Sequence, residues 1–126
     1  MSTQTREGFS TVTPYLTVSD AAKLLEFVGR IFGAQQTFVA RRPDGSVQHA
    51  EVRIGNSMVM VGQANDLWKA RPSTIYVYVD DPDVTYRQAV EAGAKSLAAP
   101  QDHDYGERSA GFEDPTGNYW WVAKVI

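Results

Sequence analysis

This chain of 126 residues contains no cysteine. That absence excludes disulfides, thiolate metal ligands and cysteine nucleophiles together. Histidine is scarce as well, with only His49 and His103, so there is little material for imidazole ligation of a metal. Positive charge is not in excess. Twelve basic and 15 acidic side chains leave a formal net charge of −3 and a pI near 5.3, which speaks against a nucleic-acid or anionic-membrane partner. No apolar run approaches the ~20 residues of a membrane span, and the opening "MSTQTREGFS" has no apolar stretch like that of a signal peptide. What is present is ordinary for a cytoplasmic globular domain: 43% hydrophobic and 21% charged residues, in a length suited to one core.

The chain says the same thing twice. "LTVSD" (16 to 20) opens a run that ends at "FGA" (32 to 34), and "VYVDD" (77 to 81) opens one that ends at "AGA" (92 to 94). Each run reads as strand, helix cap, helix and glycine stop. In the first, Ser19 or Asp20 caps a helix whose buried stripe is Ala21, Leu24, Leu25, Val28, Ile31 and Phe32, with Gly33 ending it in the left-handed conformation. In the second, Asp81 caps, Pro82 takes the first helical position, Tyr86, Ala89 and Val90 form the stripe, and Gly93 stops the helix. Three strand-like pieces follow each helix, "QTFVARR", "VQHAEVRI" and "SMVMVGQ", then "KSLAAPQ", "ERSAGFE" and "YWWVAKV". Their turns are "PDG", "GN" and "DPTGN", read here as hairpin connections. The expected order is βαβββ twice in a single domain over 1–126, module one about 9–63 and module two about 74–126. "QANDLWKARPS" joins the modules.

This order resembles the vicinal oxygen chelate superfamily of glyoxalases, bleomycin-resistance proteins and extradiol dioxygenases, in its PhnB-like glyoxalase-like branch. The resemblance runs from Thr11 to Val125. It is carried by "TPYLTVSD" (13 to 20), "IFGA" (31 to 34), "PDGSVQHAEVRIGN" (43 to 56), "YVDDPD" (78 to 83) and "YGERSAGFEDPTGNYW" (105 to 120). It implies an α+β fold in which two tandem βαβββ modules form a curved mixed sheet, a cup with ligand on its concave face and helices outside. It also implies a homodimer. The reaction is not implied, because such folds host many chemistries.

Strand alternation assigns side chains to the two faces. Pro14, Leu16 and Val18, then Ala50, Val52 and Ile54, then Ile75, Val77 and Val79, then Trp120 and Val122 are expected in the core. Thr13, Tyr15 and Thr17, then His49, Glu51 and Arg53, then Thr74, Tyr76 and Tyr78, then Tyr119, Trp121 and Ala123 are expected to face the cup. Metal-dependent relatives carry His or Glu on inward positions that, by resemblance, fall on Thr13, Thr74, Trp121 and Val59 or Met60. None of these is a good ligand for zinc, nickel, manganese or iron. No metal and no cofactor is therefore expected. A replacement set from His49, Glu51 and His103 is the alternative.

Without a metal, the inward aromatics suit a flat organic ligand, since rings with polar tips combine stacking with hydrogen bonds. The candidate ligand-binding residues are Tyr15, His49, Glu51, Tyr76, Tyr78, Arg108, Tyr119 and Trp121. His49 and Glu51 share a strand face and form either a general acid–base pair or a structural hydrogen bond with Arg53 or Arg108 as countercharge. Arg108 could instead clamp a ligand carboxylate. Trp68 either covers the cup's mouth or pins the linker. The leading expectation is a metal-free protein that sequesters a small aromatic molecule, as in resistance. The alternatives are a glyoxalase-like lyase, isomerase or dioxygenase, working through His49 and Glu51 or an unconventional metal site, and a binding module for another protein.

Overall fold

The computed structural model describes residues 4–126, so the first three residues of the polar opening stretch lie outside it. The chain divides into two compact units, one through Arg71 and one from Pro72 to Ile126. In the first unit the order is β1 (Tyr15–Val18), α1 (Ala21–Phe32), β2 (Gln35–Arg41), β3 (Val47–Ile54) and β4 (Ser57–Gln63). In the second it is β5 (Thr74–Tyr78), α2 (Pro82–Glu91), β6 (Lys95–Asp102), β7 (Glu107–Glu113) and β8 (Tyr119–Val125). The βαβββ repeat is present in both.

Each unit holds a four-stranded sheet, ordered β1-β4-β3-β2 in one and β5-β8-β7-β6 in the other. The first strand of each pairs parallel to the last, and the other pairs are antiparallel. The registers repeat too: Tyr15 pairs with Met60 and Tyr76 with Trp121, equivalent positions 61 residues apart.

Local chemistry places the helices. The Asp20 carboxylate accepts from the Lys23 N–H at 3.1 Å, capping α1, and Gly33 ends it at φ 64°, a conformation that costs glycine little. Asp81 accepts from the Asp83 and Val84 N–H groups at 3.0 and 3.4 Å at the start of α2. The stripe of α1 is buried as expected, with Phe27 added and Phe32 only half-buried. That of α2 differs. Val90 is exposed, and Pro82, Thr85 and Ala89 are buried, because residues 82, 85 and 89 share the helix face that packs on the sheet. Tyr86 lies at the edge of this face, half-buried, with its hydroxyl 2.6 Å from Ser96 Oγ.

Rows of paired apolar residues build the cores under the helices. Leu16, Val61 and Ala50 form one row of the first unit, and Ile75, Trp120 and Phe112 one of the second. Five side chains expected in the core stand at its margin: Pro14 is exposed just before β1, Ile54 is half-buried at the end of β3, and Ile75, Val77 and Val79 are half-buried along and just after β5. The "DPTGN" turn does more than reverse the chain. Asp114 Oδ1 accepts from the Thr116 N–H, the Thr116 hydroxyl and the Asn118 N–H, and its Oδ2 accepts from the buried Trp120 indole at 2.7 Å.

Candidate functional site

The face of each sheet opposite its helix carries the chemistry. In the first unit β-pairing lays Tyr15, Met60 and Glu51 in one row, and Thr17, Gly62 and His49 in the next. Gly62 lets Tyr15 lie flat across the sheet: a Cβ there would sit 2.6 Å from the tyrosine oxygen. The Tyr15 hydroxyl then reaches His49 Nδ1 at 3.3 Å, and His49 Nε2 lies 3.2 Å from Glu51 Oε2. Phe38 flanks the imidazole with ring centroids 6.3 Å apart. The result is a continuous phenol–imidazole–carboxylate chain.

Glu51 is 4% exposed. Burial pushes its carboxyl up, but hydrogen bonds from Arg6 and His49 and the Arg6 charge outweigh this and hold it below the usual carboxylate range. The countercharge is therefore Arg6, which hydrogen-bonds Glu51 from 45 residues away and lies over the Phe9 ring at 4.7 Å. Sequence pairing had pointed to Arg53 or Arg108. No local motif marks Arg6, because the contact depends on the N-terminal segment crossing the sheet.

A cleft of about 490 Å³ opens beside this chain, lined by Tyr15, Thr17, Gln48, His49, Gly62, Gln63, Asn65 and Trp68. Trp68 thus belongs to its rim, held by a turn in which Asn65 Oδ1 accepts from the Leu67 and Trp68 N–H groups. Its indole remains largely exposed.

In the second unit Tyr76, Trp121 and Gly111 form one open-face row, and Thr74, Tyr119 and Glu113 another. Gly111 lets the Trp121 indole lie across β7; a Cβ would come 2.4 Å from its ring. The phenols of Tyr76 and Tyr78 both donate to Glu107, at 2.5 and 2.6 Å. Glu107 is a site residue that sequence reasoning missed. Its alternation with Arg108 in "GERS" was the available signal. Arg108 itself points to the helix side, where Asp83 takes two of its N–H groups at 2.8 and 3.0 Å and Asp102 a third at 3.0 Å. Arg108 thus joins Asp83 of α2 to Asp102 of β6, and its hydrogen-bond partners are these two carboxylates.

The ligand positions of metal-dependent relatives can now be placed. The pairing of Met60 with Tyr15, equivalent to that of Trp121 with Tyr76, makes Met60 the fourth-strand position and buries Val59 in the core. Thr13, Met60, Thr74 and Trp121 offer neither imidazole nor carboxylate, and do not fit a zinc, nickel, manganese or iron ion. Among the described residues no three His, Asp or Glu side chains converge to hold a metal. His103 instead stacks on Tyr105 at 5.1 Å.

Comparison with known proteins agrees with this architecture. An uncharacterised protein of Mycobacterium bovis, Mb0911c, is 30% identical over 126 residues, covering 91% of this chain and 83% of that protein. The crystal structure of TioX from Micromonospora sp. ML1 superposes with a TM-score of 0.78 at 22% identity, covering 93% of this chain and 99% of TioX. The fosfomycin resistance protein FosX from Mesorhizobium loti superposes with a TM-score of 0.68 at 17% identity, covering 93% and 92%. At these identities the two structures speak to fold alone. The sequence profile of the Glyoxalase/Bleomycin resistance protein/Dioxygenase superfamily matches residues 8–122, and with two sheets of four strands and two helices in βαβββ repeats, the chain belongs to that superfamily.

Proposed function

We propose that this protein binds a small, flat organic molecule in the cleft of its first unit, without a metal ion, and sequesters it unchanged. The observation that carries the reading is the composition of that cleft. Tyr15, His49 and Trp68 supply rings, while Gln48, Gln63 and Asn65 supply amide donors and acceptors around about 490 Å³. Such a mixture suits a planar ligand with a polar edge. Stacking adds ~0.5–1.5 kcal/mol per ring beyond burial, and micromolar affinity needs about 8 kcal/mol in all. The donor chemistry at Thr13, Met60, Thr74 and Trp121 supports binding without a metal. A resistance role is in keeping with a superfamily whose name includes bleomycin resistance proteins. The same reading includes a cytoplasmic homodimer whose partner is a small molecule and not a nucleic acid; a sedimentation mass of two chains checks the dimer.

The test is a tryptophan-fluorescence titration with planar bicyclic aromatics such as naphthol and indole. Saturation at one ligand per chain, recovery of unchanged ligand and loss of binding in Trp68→Ala support the reading. No saturable binding by any compound, or an affinity unaltered in both Trp68→Ala and Tyr15→Ala, refutes it.

The phenol–imidazole–carboxylate chain favours a second reading, an acid–base enzyme. His49 would take a proton from Tyr15 or from substrate while Glu51 orients the ring. Product formation that is lost in His49→Gln separates enzyme from binder. The salt bridge to Arg6 weighs against it, because the carboxylate is already neutralised by a guanidinium.

A further inference from the structure

The open face of the second unit carries a carboxylate that no ion pair among the described residues satisfies. Glu107 receives one phenol on each oxygen, Tyr76 on Oε1 and Tyr78 on Oε2. Each oxygen keeps a further lone-pair direction free. The ion pairs of the described residues join Arg6, His49 and Glu51, or Arg108, Asp83 and Asp102, and none reaches Glu107. Both of its donors are neutral, so its negative charge stands uncompensated within the unit.

Around that charge stand aromatic rings. Tyr76 and Tyr78 meet edge to face, with centroids 5.5 Å apart and planes at 68°. Tyr105 lies two residues before Glu107, in the turn leading into β7, with its ring stacked on His103 at 5.1 Å. All three tyrosines present much of their surface to solvent. A carboxylate held at the tips of exposed tyrosines attracts an organic cation, because the carboxylate draws the charge while the neighbouring rings offer apolar and π surface to its substituents.

We propose that Glu107, Tyr76, Tyr78 and Tyr105 form a binding site for an organic ammonium group, with the cationic nitrogen against the Glu107 carboxylate and its alkyl substituents on the tyrosine rings. The protonation states match the role. Hydrogen bonds from Tyr76 and Tyr78 hold the Glu107 carboxyl below its ordinary value, and the same bonds raise both phenols above theirs. At neutral pH the site is therefore one carboxylate and neutral phenols. A metal cation is a poor competitor here, since a single carboxylate with phenol neighbours lacks the several oxygen ligands that calcium or magnesium requires. The site shares no residue with the first unit's cleft, so the residues that shift on titration tell the two apart.

Choline and its neutral isostere 3,3-dimethylbutan-1-ol test it, read by chemical-shift titration of the full chain. The expected result is saturable choline binding, with shifts centred on residues 76–78 and 105–107 and an affinity at least about 10-fold above that of the isostere. Glu107→Gln, which keeps an acceptor for the phenols and removes the charge, should weaken choline at least about 10-fold. Tyr78→Leu, which removes a ring, should weaken it about 3-fold or more. Equal affinity for choline and the isostere would show an apolar face and overturn the proposal. So would a Glu107→Gln variant with unchanged choline affinity, shifts centred on the first unit's cleft, or no saturation by choline at ~50 mM.

Discussion

Replacing Trp120 separates burial from hydrogen bonding at the centre of the second unit. The indole is fully buried, and its N–H donates to Asp114 Oδ2 at 2.7 Å. Asp114 is itself 3% exposed, and the three remaining donors to its carboxylate all use Oδ1. Trp120→Phe keeps most of the apolar contact and removes the donor. The lost hydrogen bond to a carboxylate costs about 1.5–3 kcal/mol, and a void of roughly 40 Å³ at ~24 cal/mol per Å³ adds about 1 kcal/mol. The expected loss is thus about 2.5–4 kcal/mol. Trp120→Ala combines about 3–5 kcal/mol of transfer and cavity cost with the same unpaired oxygen, a large share of the 5–15 kcal/mol of a typical domain. Urea denaturation followed by far-UV circular dichroism measures both. In Asp114→Asn the hydrogen bond is weakened at its other end, so Trp120→Phe should cost less in that background, and the double-mutant cycle gives the coupling. A Trp120→Phe protein with wild-type stability, or zero coupling to Asp114, would refute the reasoning and mean that the indole of Trp120 does not face the core.

Four further outcomes follow from the site. Gly62→Ala should displace Tyr15, whose oxygen would otherwise lie 2.6 Å from the new Cβ; loss of the Tyr15–His49 nuclear Overhauser contacts with a melting temperature within a few degrees of wild type checks this. Gly111→Ala should likewise drive the Trp121 indole off β7, seen as a shifted tryptophan emission. Glu51 has a folded pKa below its unfolded value of 4.5, so its contribution to stability is complete above about pH 4.5 and is lost as pH falls through the lower folded value. Urea midpoints between pH 3 and pH 6 should therefore fall less steeply toward acid in Glu51→Gln than in wild type. Finally, protein purified without chelator and offered Mn, Fe, Co, Ni and Zn should retain far less than one ion per chain by mass spectrometry; one tightly held ion per chain contradicts the donor chemistry described here.

The amino-acid order alone determined the repeat, the eight strands and both helices, with the first helix's cap narrowed to Ser19 or Asp20, because each rests on neighbours within a turn or a hairpin. Asp20 and Asp81 cap through N–H groups only two or three residues ahead, and Gly33 ends a helix where it stands. Alternation assigned Trp120 to the core and Trp121 to the open face for the same reason: the strand period is two and needs no partner to be read. Tertiary structure decided what the side chains do once they are there. Glu51 acquires Arg6 from 45 residues away, Glu107 acquires Tyr76 and Tyr78 from 31 and 29, and Arg108 is claimed by Asp83 from 25. Such pairs depend on strand order, on register and on where the N-terminal segment crosses, none of which leaves a periodic trace. The choice of Met60 over Val59 shows the limit most simply, since one residue of register exchanges core for open face and only pairing with Tyr15 sets it.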